Sequence, residues 1–135
     1  MTISINNQRR LEELNADFQG AFPYLKIEFF AGTHQRGGSS AKDARLDTSI
    51  KVQDCRTSGA EGKLAIREDM TVAELEQTFA REYGLAVQVF RKSGNHTWLE
   101  TTASDFWTLN KQNQMGRELN AMDDEQVANE EIDFD

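Results

Sequence analysis

Two histidines, one cysteine and a Gly/Ser-rich basic stretch carry most of the residue types that suit chemistry in this chain. A metal site would join His34 and His96 to Cys55 or to carboxylates, but no HxxxH or CxxC spacing occurs. Both histidines read as solvated turn residues, and no metal or cofactor is expected. Cys55 stands between Asp54 and Arg56. A catalytic thiol needs a lowered pKa and a base beside it. Arg56 would help the thiolate and Asp54 would oppose it. With no nucleophile signature around it, Cys55 reads as a structural residue at a strand end. Residues 32–45, GTHQRGGSSAKDAR, offer backbone donors at Gly37 and Gly38, hydroxyls at Ser39 and Ser40, and charge at Arg36, Lys42 and Arg45. A Walker-type phosphate loop needs G-x-x-x-x-G-K-[ST] between a strand and a helix, and this stretch has neither. Its composition reads as a flexible, solvated loop. Long loops still carry function more often than short ones, so Arg36, Ser39, Ser40 and Lys42 are its candidate ligand contacts.

A second constellation joins bases to aromatics: Arg91, Lys92, Trp98, Phe106 and Trp107. Such a set binds single-stranded nucleic acid by stacking and phosphate contact. It serves equally as a protein interface, where Trp and Arg are the enriched anchors. The plain alternative is core aromatics beside a basic hairpin tip. Trp98 is expected to pack under a sheet and Trp107 to be exposed. The candidate partner-binding residues are therefore Arg91, Lys92, Phe106 and Trp107.

The elements that position these groups centre on residues 63–102. Thr71 and Glu74 form a capping box, with Met70 and Leu75 placed as a hydrophobic staple. Val72, Leu75, Phe79 and Tyr83 make one apolar helix face, and Gly84 suits a left-handed helix end. Leu85, Val87 and Val89 alternate with Ala86, Gln88 and Phe90 as in a half-buried strand. A turn at 93–96 and a return strand through Trp98 and Glu100 complete a hairpin. Leu64 and Ile66 mark a strand before the helix. Upstream, Leu11, Leu14 and Phe18 predict a helix over 4–20, with Ser4 as its cap. Residues 24–31 predict a strand with both faces partly covered, and 46–53 another through Ile50 and Val52. A weak helix is expected over 109–121, capped by Thr108 and loosened by Gly116 and a run of Asn and Gln. No internal repeat stands out.

At 135 residues the chain suits one domain with appendages. A single cysteine excludes an internal disulfide and favours a reducing compartment. No signal-like or membrane-spanning run appears, so a cytoplasmic protein is expected. Residues 123–135 hold seven acidic residues and no basic one, and setting them aside takes the formal charge from −8 to −1. The expected organisation is one domain over 1–122 followed by an acidic, disordered tail over 123–135. A near-neutral body has no basic excess with which to displace counterions from phosphates, so nucleic acid is possible but not favoured as a partner.

Residues 46–102 read as strand, turn, strand, helix, strand, strand, with E-x-x-T-V-x-E-L at 68–75. This order resembles the β-grasp, or ubiquitin-like, arrangement. Residues 84–109, GLAVQVFRKSGNHTWLETTASDFWTL, resemble a family of small uncharacterised bacterial proteins with a GL-x-VQVFRKSG, WLETT and D-x-WTL pattern. That resemblance implies a bacterial cytoplasmic origin and no assigned activity. The expected fold is α+β and two-layered, a mixed sheet of about five strands with one central packed helix, plus an N-terminal helix and a weak C-terminal one. The expected function is a non-enzymatic protein-interaction module of unknown partner and oligomeric state. The alternatives are a nucleic-acid-associated protein using the basic–aromatic set and, last, a small-ligand binder at 33–45.

Overall fold

The computed structural model describes the backbone of residues 1–32, 44–94 and 97–133, and their side chains as far as residue 121. Its elements are β1 (Thr2–Ile5), α1 (Leu11–Ala21), β2 (Leu25–Phe30), α2 (Val52–Cys55), β3 (Gly62–Ala65), α3 (Val72–Tyr83), β4 (Ala86–Lys92), β5 (Trp98–Glu100), a 3-10 turn (Thr102–Ser104) and α4 (Leu109–Asp133). The α+β class and the count of five strands are as expected, but the set is not: residues 2–5 form a strand and 46–53 do not. Nor is there a single mixed sheet: the strands form an antiparallel pair, β1–β3, and an antiparallel three-stranded sheet ordered β2–β4–β5.

Helix α3 forms as its sequence dictates. The Thr71 hydroxyl accepts from the Glu74 N–H at 3.1 Å, and Gly84 closes the helix at φ +63°. Val72, Leu75, Phe79 and Tyr83 are buried. Helix α1 starts later than the expected residue 4, because residues 2–5 pair with β3 as a strand. Arg10, not Ser4, is its N-cap residue, and the Glu13 carboxylate accepts from the Arg10 N–H at 2.9 Å. Both helices bury their apolar faces with Ile3, Ile5, Ile27, Val87 and Val89 in one core. Phe29 meets Phe79 edge-on at 6.3 Å within it. Gly20 lies exposed near the end of α1 with open space around it. Gly20→Ala should raise stability by about 0.5–1 kcal/mol in chemical denaturation, through helix propensity alone.

The stretch 46–53 is not the expected strand; it is a turn leading into α2. The first strand of the β-grasp-like order is therefore absent. In its place residues 48–53 exchange backbone hydrogen bonds with the start of α1. Leu11 and Glu12 N–H donate to the carbonyls of Ile50 and Thr48, while Val52 and Gln53 N–H donate to Arg9 and Asn7. The first N–H groups of a helix lack partners inside it. Here the starts of two helices satisfy each other.

The same exchange occurs again. Val72 and Ala73 N–H donate to Trp107 and Asp105, and Leu109 and Asn110 N–H donate to Met70 and Glu68. The bridge Arg10–Lys51 matches the bridge Thr71–Thr108. Likewise the Leu46 N–H to Phe29 carbonyl bond matches that from Thr101 to Val89. The chain is thus internally duplicated: β1, α1, β2 and α2 correspond to β3, α3, β4 and the start of α4. Leu14 corresponds to Leu75, Phe18 to Phe79, Phe22 to Tyr83 and Phe30 to Phe90. Ile3 pairs with its own equivalent Leu64, and Glu28 with its equivalent Gln88. A pseudo-two-fold axis runs through those two pairs and accounts for both antiparallel ladders. The expectation of no repeat is overturned. The repeat is hard to read because it survives mainly at apolar positions and its connections differ in length.

Helix α4 runs 25 residues to Asp133, beyond the expected end at 121, so its backbone continues into the stretch assigned to the acidic tail. Thr108 caps it as expected, accepting from the Lys111 N–H at 3.1 Å. Gly116 is not a weak point in it. A Cβ there would fall 2.7 Å from Tyr24 Cβ and 3.3 Å from Arg91 Cγ, so glycine lets α4 approach the sheet. Above that contact, Asn113 accepts from the Tyr24 N–H at 2.9 Å.

Candidate functional site

The sequence points to three places, and the structure treats them differently. Arg36, Ser39, Ser40 and Lys42 lie outside the described residues, as do His34 and His96. The base of that loop is described: the Ala31 N–H donates to the Ala44 carbonyl at 2.8 Å, and Phe30 bridges to Arg45. Among the described residues no group of three or more His, Cys, Asp or Glu could hold a metal ion. No helix among them is long and apolar enough to cross a membrane.

Cys55 ends α2, not a strand, and borders an open cleft of about 590 Å³ lined also by Phe30, Leu46, Arg56, Ser58 and Gly84. Burial pushes its thiol pKa up, and the nearby Arg56 charge only partly opposes this. Its Sγ donates to the Val52 carbonyl at 3.3 Å. Arg56 is committed elsewhere. Its guanidinium donates to the carbonyls of Ala60 and Tyr83 and to Asn7 Oδ1, at 2.7–2.8 Å, and ties the linker between the two halves to the end of α3. A protonated thiol beside an engaged arginine is not an activated nucleophile.

The basic–aromatic set divides. Successive residues of a strand face opposite ways, so Arg91 and Lys92 cannot share a surface. Arg91 stands opposite Leu25 on the helix side of the sheet. Lys92 stands opposite Trp98 on the other side. There the half-buried Trp98 packs against a cluster of Phe30, Ala86 and Phe90, and Lys26 lies 4.8 Å from the Trp98 ring centre. Trp98 thus lies under the sheet as expected.

Arg91, Phe106 and Trp107 do come together, and Lys111 joins them. The bend at 105–108 projects Phe106, which is 68 % exposed. Its ring meets Trp107 edge-on at 6.4 Å. Trp107 is half-buried instead of exposed, because Lys111 Nζ lies 4.3 Å and the Arg91 guanidinium 5.9 Å from its ring centre. Both distances suit cation–π attraction. Arg91 is held from behind by Gln112, fully buried, whose Oε1 accepts from Nη1 at 2.9 Å. The Gln112 amide in turn donates to the Ser104 carbonyl and hydroxyl, each at 2.9 Å. Two residues of this site escape a sequence reading. Lys111 had a signal, lying in the first turn of a helix that starts two residues after Trp107; Gln112 had none.

Glu76 lies beneath the same bend. Its carboxylate accepts from the Val89 N–H at 3.0 Å. Val89's carbonyl accepts from the N–H and hydroxyl of Thr101, at the root of the bend. Burial, with Asp105 nearby, pushes the Glu76 pKa up to about 7. In the first half the counterpart of Glu76 is Asn15, which accepts at 2.8 Å from the Ile27 N–H, two residues before Phe29, the counterpart of Val89. A neutral amide is enough for the strand-capping task.

The internal duplication also tests the bend. Thr48, Ser49 and Ile50 correspond to Asp105, Phe106 and Trp107, and the backbone exchange is the same in both halves. The exposed position is Ser49 in one half and Phe106 in the other. Comparison with protein-family models, with curated proteins and with solved structures finds no match to this chain.

Proposed function

We propose that this chain is a non-enzymatic protein-interaction module that docks through Phe106 and Trp107, with Arg91 and Lys111 as flanking cations. One observation carries the reading. The fold builds the same bend twice, with Ser49 held by the Asp47 carboxylate at the tip of the first and an exposed phenylalanine at the tip of the second. An exposed phenylalanine on a rigid, doubly bonded bend, packed edge-on against Trp107 and beside two cations, suits an interface anchor. Lys92 drops out of the set on geometric grounds, and Lys111 takes its place.

Phe106→Ser installs the residue that the first half already uses. Immobilised full chain should capture a partner from the native cell extract, and the variant should lose at least about 90 % of it, the loss expected for a central aromatic anchor. Equal capture by both forms would overturn the reading.

A further inference from the structure

We infer that the Phe106–Trp107 surface accepts the acidic segment 123–135 of a second copy of this chain. The inference rests on the docking role of that surface and names its partner. Three observations carry it. The first is spare positive charge. Among the described residues neither Arg91 nor Lys111 has a carboxylate within 4 Å; Arg56, Arg81, Lys92 and Arg117 are among those that share that lack, and these two are set apart by standing together at the Trp107 ring. Both cations are stacked beside Trp107 and next to an exposed phenylalanine. A carboxylate-rich segment that also carries apolar side chains would use all four groups.

The second is composition. Residues 123–135, DDEQVANEEIDFD, carry seven carboxylates, no cation, and Val127, Ile132 and Phe134. The rest of the chain is nearly neutral, so this segment holds the acidity that could complement the site. The third is reach. Helix α4 starts two residues after Trp107 and continues for 25 residues. At about 1.5 Å per residue it carries its far end roughly 37 Å away from its start. A chain in this form cannot bring its own acidic end back to its own Trp107. A second copy with α4 antiparallel would bring its acidic half to the first copy's site and receive the first copy's in return. The contact is then self-complementary and closes at two chains. A nucleic acid fits less well, because Asp105 adjoins the aromatic pair and two cations are few for a phosphate backbone.

Sedimentation equilibrium of the full chain tests this. At about 20 mM salt the mass should rise with concentration from 15.3 kDa towards twice that, and at about 500 mM it should return to 15.3 kDa, because salt screens the attraction between opposite charges. Phe106→Ser, Lys111→Glu and the neutralised form D123N/D124N/E125Q should each weaken association by about tenfold or more. The neutralised form leaves the Phe106 surface untouched and the Phe106 variant leaves the acidic segment untouched, so sensitivity to both ties the two together. A chain that stays monomeric at low salt overturns the inference, as does a dimer indifferent to these changes. A monomer whose Phe106-dependent capture of another protein persists overturns self-pairing alone and leaves the docking surface standing. Binding of an oligothymidylate lost on Phe106→Ser, by a chain that remains monomeric, overturns it in favour of nucleic acid.

Discussion

Gly84→Ala should cost on the order of 3 kcal/mol or more, among the largest losses of any single-methyl change in the chain. Two effects add. Gly84 ends α3 at φ +63°, a left-handed conformation that costs a side-chain-bearing residue roughly 1–2 kcal/mol. A Cβ at this site would also overlap the Ser58 carbonyl oxygen, which is backbone and has no rotamer to escape into. The fit is mutual, since a Cβ on Gly59 would overlap the Tyr83 carbonyl. The linker between the two halves crosses the end of α3 here with no room for a side chain on either strand, and Arg56 clamps the crossing from the side. Urea titration measures the loss. A cost below about 1 kcal/mol would show that this crossing does not hold the linker to α3.

Glu76→Gln should remove a pH dependence that the wild-type chain carries. An ordinary glutamate ionises near 4.5, whereas Glu76 in the folded chain is pushed up to about 7. Between those values the folded chain binds the proton and the unfolded chain has released it. Stability from this group is therefore fully present below about pH 4.5 and is lost as pH rises through about 7. Each unit of difference is worth about 1.4 kcal/mol, so the whole effect is on the order of 3 kcal/mol by pH 8. Glutamine keeps an oxygen that can accept from the Val89 N–H, as Asn15 does for Ile27, and does not titrate. The variant should match the wild type near pH 4 and exceed it by that amount at pH 8. Thermal unfolding of both forms across this range gives the difference directly, free of the slopes from other groups. Parallel curves would mean that Glu76 ionises normally.

Much of the second half was legible in the sequence because its signals are local. The capping box, the staple and Gly84 define α3 within the fifteen residues from Met70 to Gly84, and period-two alternation defines β4. The first half hides the same architecture. Residues 2–5 are too few to announce a strand without their partner β3, so Leu11 to Phe18 drew the helix back to residue 4. Ile50 and Val52 alternate as a strand would, but their backbone is engaged with the start of α1, a long-range contact that leaves no local mark. The duplication rests on those same long-range bonds. At the site, the aromatic–basic grouping was visible in composition, but grouping by composition keeps Arg91 and Lys92 in one set although strand alternation puts them on opposite faces. Gln112 was not recoverable, since its role depends on α4 crossing the sheet at Gly116. The loop residues Arg36, Ser39, Ser40 and Lys42 and the two histidines lie outside the described residues.

The central claim is that Phe106 is surplus to folding and is present for a partner. The thermal midpoint of Phe106→Ser, measured against wild type at high salt, where pairing between chains is screened, tests it most directly. The account expects the two midpoints to agree within about 2 °C, because Ser49 already fills the equivalent bend and the backbone exchange involves no side chain. A midpoint lowered by about 8 °C or more would make Phe106 part of the core and contradict the account.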